Sequence, residues 1–370
     1  MFFIEQKSNI WQNHRMSISI SHRGTGSNPD GRFETHQCQA EADGWDLADD
    51  PLPPVATTVT IDHSRSVLTR NTSPDIPFDR SINPYRGCEH GCIYCFARPS
   101  HSYLGLSPGL DFETRLFAKP DAARLLEAQL RKRHYRPAPI AFGTNTDPYQ
   151  PIENKWQVMR QCLEVLAAFN HPLTIVTKGH LITRDLDILA PMAAKGLVHV
   201  GISLTTLDRD LCRVLEPRAA VPAARLAAMR ALADAGIPVT AMLAPIIPAL
   251  TDHELERLLA AAAAAGARSA SFILLRLPFE VKDLFSQWLN THCPDRAAHV
   301  LSLLAQSRDG QLNDPRFGAR MKGQGRHAEM LSQRFHLSCR KLGLANNRDW
   351  PLECGLFRPP AKAGDQLSLL

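Results

Sequence analysis

The sequence has no apolar run of membrane-spanning length; even LLAAAAAAGA follows the polar, helix-starting TDHELER. It also lacks a secretory signal, because MFFIEQKSNIWQNHRM has neither an apolar core nor a small-residue cleavage site. Both absences are expected of a cytoplasmic protein without a membrane partner. A strong charge excess is missing too. A formal +5 over 370 residues is too little to imply an acidic partner by itself, so the distribution of charge has to be read instead. In a reducing compartment nine cysteines do not read as a disulfide framework, and those that cluster point to metal or redox chemistry. The cluster itself is short of one member. In YRGCEHGCIYCFARP, residues 85–99, Cys88, Cys92 and Cys95 fall within eight positions and no fourth cysteine joins them.

What is present suits a sizeable core: 44% of the residues are hydrophobic, enough for one large domain or two ordinary ones. Residues 1–55, rich in Gly, Ser, Asn, Asp and Pro, are expected to form a disordered N-terminal arm, with Met16 as an alternative start to Met1. ATTVTIDHSRSVLTR, 56–70, has the β-branched alternation of an added edge strand. Beyond the cysteines, short apolar runs alternate with amphipathic helices in six units. Strands are expected near 82–87, 139–143, 173–177, 198–203, 238–243 and 269–277. DAARLLEAQLRKRH and NKWQVMRQCLEVLAAF are expected as helices, and a capping box of Thr251 and Glu254 is expected to open a third. Such repeats predict an α/β fold with a parallel sheet and right-handed crossovers. An open, partial (β/α)6 TIM-like barrel over 56–290 fits, with a doubly wound sheet as the alternative; either places its chemistry at the strand C-termini. Residues 291–348 read as a basic helical C-terminal extension and 349–370 as a flexible tail.

Three neighbouring thiolates can ligate three corners of an iron–sulfur cube and leave the fourth iron open to an exogenous ligand. A structural zinc site or an ordinary electron-transfer cluster wants four protein ligands. His90 could complete a zinc site only by an awkward reach within its own short loop. Most of the isolated Cys38, Cys162, Cys212, Cys293, Cys339 and Cys354 read as small apolar packers.

At these residues the chain resembles the radical S-adenosylmethionine (radical SAM) superfamily, whose CxxxCxxC loop is matched by Cys88, Cys92 and Cys95, with the aromatic Tyr94 before the third cysteine. Within it, the chain is similar to the subgroup related to spore photoproduct lyase and often labelled DNA repair photolyase-like. That likeness runs over about 57–345 and is carried by SRSVLTRNTSPDIPFDRSINPYRGCEHGCIYCFAR, GTNTDPYQPIE, VTKG, SLTTLDRDLCRVLEPRAAVPAARLAAMRALADAGIPV and PIIPALTD.

The resemblance implies a 4Fe–4S cluster held by Cys88, Cys92 and Cys95, with S-adenosyl-L-methionine on its unique iron. It implies reductive cleavage to a 5′-deoxyadenosyl radical, fed by a one-electron donor such as flavodoxin or ferredoxin. The cofactors carry that chemistry while the protein shields it from water. Tyr94 is then expected to help seat the adenine. Thr144, Thr146 and Asp147, in the loop after the second strand, are candidates for the methionine amino end; the same residues also make good turn chemistry. Lys178 is the candidate for the carboxylate. Ser203 and Thr205 are candidates for the ribose hydroxyls, or caps of the next helix. Glu216 and Arg225 are expected either to pair with each other or to reach the cofactor. One departure stands out. Spore photoproduct lyases carry a cysteine that returns a hydrogen atom to the repaired thymine, and this chain has Thr144 at that place. Tyr149 or one of the isolated cysteines is left as the substitute donor.

Two features bear on partners. Residues 316–348 hold eight Arg or Lys against one Glu, with Phe317 and Phe335 interleaved. They suit phosphate contact or, alternatively, a solvated helix whose Met330, Leu331 and Phe335 face the core. The chain finishes QLSLL, Gln366 to Leu370, which resembles the short peptide by which bacterial repair and replication proteins dock on the sliding clamp. Together these point to an enzyme acting on DNA, in repair or lesion processing. The alternatives are radical SAM modification of RNA or of a protein side chain, or a non-catalytic DNA-associated iron–sulfur protein.

Overall fold

The computed structural model describes residues 23–33, 55–346 and 351–362. Its strands are β1 (Thr58–Ile61), β2 (Leu68–Arg70), β3 (Arg80–Ile82), β4 (Tyr85–Arg86), β5 (Arg115–Ala118), β6 (Ile140–Phe142), β7 (Leu173–Thr177), β8 (Val198–Ser203), β9 (Val239–Ile246), β10 (Ser269–Leu274) and β11 (Ala345–Asn346). The larger sheet runs β11-β10-β9-β8-β7-β6-β3-β2, and every pairing in it is parallel except β2 with β3. From β3 to β10 the spatial order follows the chain without reversal, so there is no switch point of the doubly wound kind. The middle strand explains itself. VHVGIS of β8 is buried at all six positions, as a strand covered on both faces must be.

The sheet curls. Five strand spacings of about 4.8 Å would hold β3 and β10 roughly 24 Å apart if it were flat. Yet Phe96, in the loop after β3 and β4, lies with its ring 4.6 Å from the Arg276 guanidinium just past β10. Asp75, just before β3, pairs with Arg320 at 2.6 Å. The two ends of the sheet therefore approach each other, and the architecture is the expected α/β partial barrel.

Helices fill the outside through apolar faces at helical spacing: in Val158–Ala168 the residues Val158, Met159, Cys162, Leu163 and Leu166 are the buried ones. Cys162 is thus the packer it was expected to be, whereas Cys38 lies outside the described residues. The helix expected over NKWQVMRQCLEVLAAF breaks in two at Gln157, where φ is +50°. Its cause is Glu153, whose carboxylate accepts from the backbone N–H groups of Met159 (3.0 Å) and Arg160 (3.3 Å) and starts a new helix there. The first helix stops at Leu130 rather than running on to His134. The Thr251–Glu254 capping box does not form. Thr251 accepts from Ile247 N–H at 2.9 Å, Glu254 turns to Thr206 and Leu207, and the helix begins at Leu255 after a 3-10 turn.

Other boundaries move as well. The strand expected at 82–87 is divided by Pro84, which cannot donate to a ladder. β3 stays in the barrel, while β4 joins β5 and β1 in a separate three-stranded sheet. The 56–70 run likewise splits, with β1 in the small sheet and only β2 extending the barrel edge. Helix Val281–His292 crosses the boundary expected at 290. Residues 23–33, inside the stretch expected to be a disordered arm, are packed: Gly24 and Thr25 donate backbone N–H to Glu113 at 2.9 and 3.2 Å. In helix Gly325–Leu342, Leu331 and Phe335 are buried, but Met330 is exposed rather than facing the core.

Candidate active site

The loop after β4 holds Cys88 and Cys92 buried and Cys95 half-buried, all as free thiols. Its path is fixed by one side chain. Arg98, fully buried, donates to the carbonyls of Cys92 (3.0 Å), Gly91 (3.2 Å), Pro108 (3.2 Å) and Gly109 (2.9 Å), and pairs with buried Glu113 at 2.5 Å. Gly91 has φ +67° and a Cβ there would stand 2.7 Å from Glu113 Oε2, so only glycine suits the turn. A second clamp is the fully buried Gln150, whose amide accepts from Glu89 N–H (2.9 Å) and donates to Gly87 O (3.1 Å).

His90 is buried beside Asp147 of the loop after β6 and Cys88 of its own loop. Its Nδ1 lies 3.3 Å from Asp147 Oδ2. Burial opposes the imidazolium, but Asp147 and then Cys88 outweigh it and raise its pKa to about 10. Asp147 answers in kind: burial disfavours its charge, yet His90 and the hydrogen bonds bring it down to about 2. Those bonds come from Thr177 Oγ1 (2.6 Å), Tyr149 N–H (2.9 Å) and Lys178 N–H (2.8 Å). Asp147 thus fastens the loop after β6 to the end of β7 and to the cysteine loop.

The opposite flank gathers most of the remaining candidates. Lys178, at the end of β7, donates from Nζ to Ser203 Oγ at 3.2 Å and stands 5.8 Å from the centre of the Tyr94 ring. Tyr94 directs its hydroxyl to Glu216 and lies 3.3 Å from Thr205, which itself donates to Glu216 at 2.8 Å. Arg225 closes the group by pairing with the other Glu216 oxygen, both side chains being buried. Burial works against the Lys178 ammonium, but Cys92 and then Glu216 more than offset it and raise its pKa above the ordinary value. Tyr94, Lys178, Ser203, Thr205, Glu216 and Arg225 therefore converge beside Cys92. Thr144 and Thr146 do not join them; Thr144 exchanges hydrogen bonds with Asn83, and Thr146 accepts from Gln150 at 3.3 Å. Tyr149, a candidate hydrogen donor, has its hydroxyl engaged by buried Asp185 at 3.1 Å.

The donor set fits the implied cluster. Burial, and then charge on Glu216 and the sister cysteines, pushes Cys92 well above the ordinary thiol range; burial and Cys88 raise Cys95. Thiols so placed ionise when a cationic centre lies among them. Among the described residues no three His, Cys, Asp or Glu side chains gather closely enough to hold a single metal ion. Cysteines that each take a different iron of a cuboidal cluster need not.

Sequence reasoning missed Arg98, Glu113 and Gln150 as supports of this loop. Arg98 was visible in CFAR, three residues after Cys95, where a large cation beside a ligand loop asks for a buried partner. Glu113 carried no local signal.

Residues 82–262 match the family profile described as the radical SAM superfamily. An uncharacterized Mycobacterium tuberculosis protein, Rv2578c, is 41% identical over 230 residues, which are 62% of this chain and 68% of that one. An uncharacterized Methanocaldococcus jannaschii protein, MJ0683, is 27% identical over 173 residues, 47% of this chain and 62% of its own. Among solved structures, spore photoproduct lyase complexed with dinucleoside spore photoproduct superposes with TM-score 0.57 at 18% identity, covering 77% of this chain and 80% of that one. A variant of that lyase with bound AdoMet and the same dinucleoside gives the same values. This chain belongs to the radical SAM superfamily, whose members use a 4Fe–4S cluster and S-adenosylmethionine.

Proposed function

We propose that the protein is a radical SAM enzyme acting on DNA in repair or lesion processing. In this reading Cys88, Cys92 and Cys95 hold the cluster, and the bound cofactors supply reductive cleavage of S-adenosylmethionine to a 5′-deoxyadenosyl radical. Lys178 takes the cofactor carboxylate as a point charge, since its own hydrogen bond is to the neutral Ser203 hydroxyl. Tyr94, held by Glu216 and Thr205, offers its ring as a wall for the adenine. Ser203 and Thr205 meet the ribose hydroxyls in this reading, a role supported by their convergence with Lys178 and Tyr94 at the end of β8. Asp147 acts through His90 and the backbone of Lys178, with its oxygens already occupied by protein donors. A flavodoxin or ferredoxin is the electron donor of this reading.

The observation that carries the DNA substrate is the shared fold with a lyase solved on a dinucleoside lesion. It is supported by the exposed Lys322, Arg326, Arg340 and Lys341 of the basic extension. The final hydrogen transfer differs from that lyase, because Thr144 stands where the donor cysteine is expected. Docking on the sliding clamp through Gln366 to Leu370 belongs to the same reading; those residues lie outside the described ones.

The test is product analysis with anaerobically reconstituted protein, dithionite and S-adenosylmethionine. Ultraviolet-damaged DNA, undamaged DNA and bulk tRNA are the three substrates. New nucleoside products from damaged DNA alone, together with 5′-deoxyadenosine, are expected. Turnover of tRNA alone would move the substrate to RNA, and no 5′-deoxyadenosine in any arm would overturn the catalytic reading.

A further inference from the structure

Exposed aromatic side chains are common one at a time and need no explanation. Here their placement does. Among the described residues the strongly exposed aromatics are Phe33, Phe96, Tyr103, Phe279 and Phe317, and each has a guanidinium against its ring. Arg276 lies 4.6 Å from the Phe96 centroid and Arg320 lies 4.8 Å from that of Phe317. Arg32 serves the other three, at 3.8 Å from Phe279, 5.4 Å from Phe33 and 6.0 Å from Tyr103. Phe33 and Tyr103 are themselves 5.0 Å apart. The three groups adjoin, because Arg276 and Phe279 share one short segment after β10 and Arg320 is near enough to Arg276 to act on its charge. The rim borders the cysteine loop at Phe96, which directly follows Cys95.

The three arginines are not equivalent. Arg32 is held by Glu280 at 2.7 Å and Arg320 by Asp75 at 2.6 Å, so their charge is met and their planes are set against the rings. Arg276 has no hydrogen-bond or ion-pair partner among the described residues, although it is half-buried against Phe96. Burial and the nearby Arg320 both work against its charge. An anion arriving there would relieve that cost, and a phosphodiester fits a lone planar fork.

We infer that this rim is a binding track for unpaired nucleic acid, with Phe96 and Phe317 as stacking faces for successive bases and Arg276 as the anchor of an intervening phosphate. The inference rests on the nucleic-acid reading above and adds to it the form of the substrate. Ring faces stack on bases only where the bases are free of a duplex, and such stacking tolerates any base. A substrate opened along this rim brings a base to the cysteine loop, which an intact duplex would keep inside its own stack.

The test measures binding by fluorescence anisotropy, using the full-length, cluster-loaded protein under anaerobic conditions. Labelled 20-nucleotide single strand, the matching duplex, and a duplex with a central unpaired bubble are the probes. The single strand and the bubble are expected to bind at least roughly tenfold more tightly than the duplex, and Phe96→Ser and Phe317→Ser to weaken each about 5- to 100-fold. Arg276→Gln is expected to reduce the salt dependence of single-strand binding by about 0.7 in the log–log slope, the share of one phosphate. Iron content and thermal unfolding confirm that each variant is folded; both aromatic positions are exposed. Equal affinity for duplex and single strand, or variants that bind like the parent, would overturn the track and leave the nucleic-acid reading standing. If the parent protein bound none of the three probes, the nucleic-acid reading would fall and the track with it.

Discussion

Glu216 and Arg225 form an ion pair with 0% and 1% of their side chains exposed, and the same carboxylate also accepts from Tyr94 and Thr205. A charge pair so enclosed adds little over a well-packed apolar pair, but each member is costly without the other. Here it joins the segment after β8 to the cysteine loop. Arg225→Met is expected to destabilise the protein by about 3–5 kcal/mol, because it strands a buried carboxylate. The double variant Glu216→Gln with Arg225→Met is expected to recover part of that loss. Urea unfolding of the parent, Arg225→Met, Glu216→Gln and the double variant checks this; a double variant as unstable as the sum of the two singles would show that the pair is not the coupling element.

Among the described residues Lys178 is the one ammonium drawn into the site, and its side-chain hydrogen bond is to a neutral hydroxyl. Replacing it with Met should leave iron and sulfide content at parental levels, because the cysteine loop is held by Arg98, Glu113 and Gln150, none of which hydrogen-bonds to the Lys178 side chain. S-adenosylmethionine affinity should fall roughly 10- to 100-fold, the worth of a hydrogen bond to a charged group. Titration calorimetry under nitrogen measures the affinity. An unchanged value would remove Lys178 from the cofactor site.

The contrast between Lys178 and Asp147 shows what the sequence could and could not reveal. The three cysteines and Tyr94 stood out by their CxxxCxxC spacing, and Lys178 became a candidate through the likeness to the radical SAM superfamily, just past β7 where α/β folds place their chemistry. Asp147 was equally well placed and was a candidate for the methionine amino end, with turn chemistry as the alternative. The structure occupies its oxygens with His90, Thr177, Tyr149 and Lys178. Hydrogen-bond saturation depends on loops brought together from 90, 147 and 177, and no local pattern encodes that. The same holds for residues 23–33. Their polar, Gly-rich composition reads as a loose arm, yet the partner that fixes them is Glu113, about ninety positions away. The parallel sheet was readable from the alternation of elements, but whether it curls or reverses its order was not, and neither was the small sheet of β1, β5 and β4, whose strands are two to four residues long.

His171 should make the fold sensitive to mild acid. The buried ring meets Pro172 O from Nδ1 at 2.9 Å, and that oxygen can only accept, so Nε2 is left to accept from the Tyr135 hydroxyl at 2.7 Å. Burial lowers its pKa from 6.5 to about 4. The folded state therefore binds this proton more weakly than the unfolded chain does, and stability is lost as pH falls from about 6.5 toward 4. That gap is worth roughly 3 kcal/mol at the acid end. His171→Asn, compared with the parent by urea unfolding at pH 7.5 and pH 5, should lose stability at neutral pH and show a flatter pH dependence. Parallel curves for the two proteins would place the acid sensitivity elsewhere.

The terminal QLSLL leads to a separate binding experiment. Deleting residues 366–370 removes a glutamine and the two terminal leucines that suit an apolar groove, and it touches none of the site residues. Capture of purified bacterial sliding clamp by the full chain is expected, with at least a tenfold loss in the deletion and unchanged 5′-deoxyadenosine formation. Equal capture by both proteins would sink the clamp assignment.

Gly24 packs directly against Gly91 of the cysteine loop. A Cβ there would lie 1.6 Å from the Gly91 carbonyl oxygen, a clash with backbone that no side-chain rotation relieves. Gly24→Val must therefore lift this segment and break the two backbone bonds it makes to the Glu113 carboxylate. Bonds to a charged group are worth about 1.5–3 kcal/mol each, so opening should become at least roughly tenfold more frequent. Trypsin should then cut faster after Arg23 and Arg32, which in the parent are held by Val55 O, Thr57 and Glu280. Because the segment lies over the loop that carries Cys88 and Cys92, the visible absorbance of the loaded protein should also bleach several-fold faster in air. Faster proteolysis with unchanged bleaching would make the segment a packing element only, and no change in either would show that the loop does not need it.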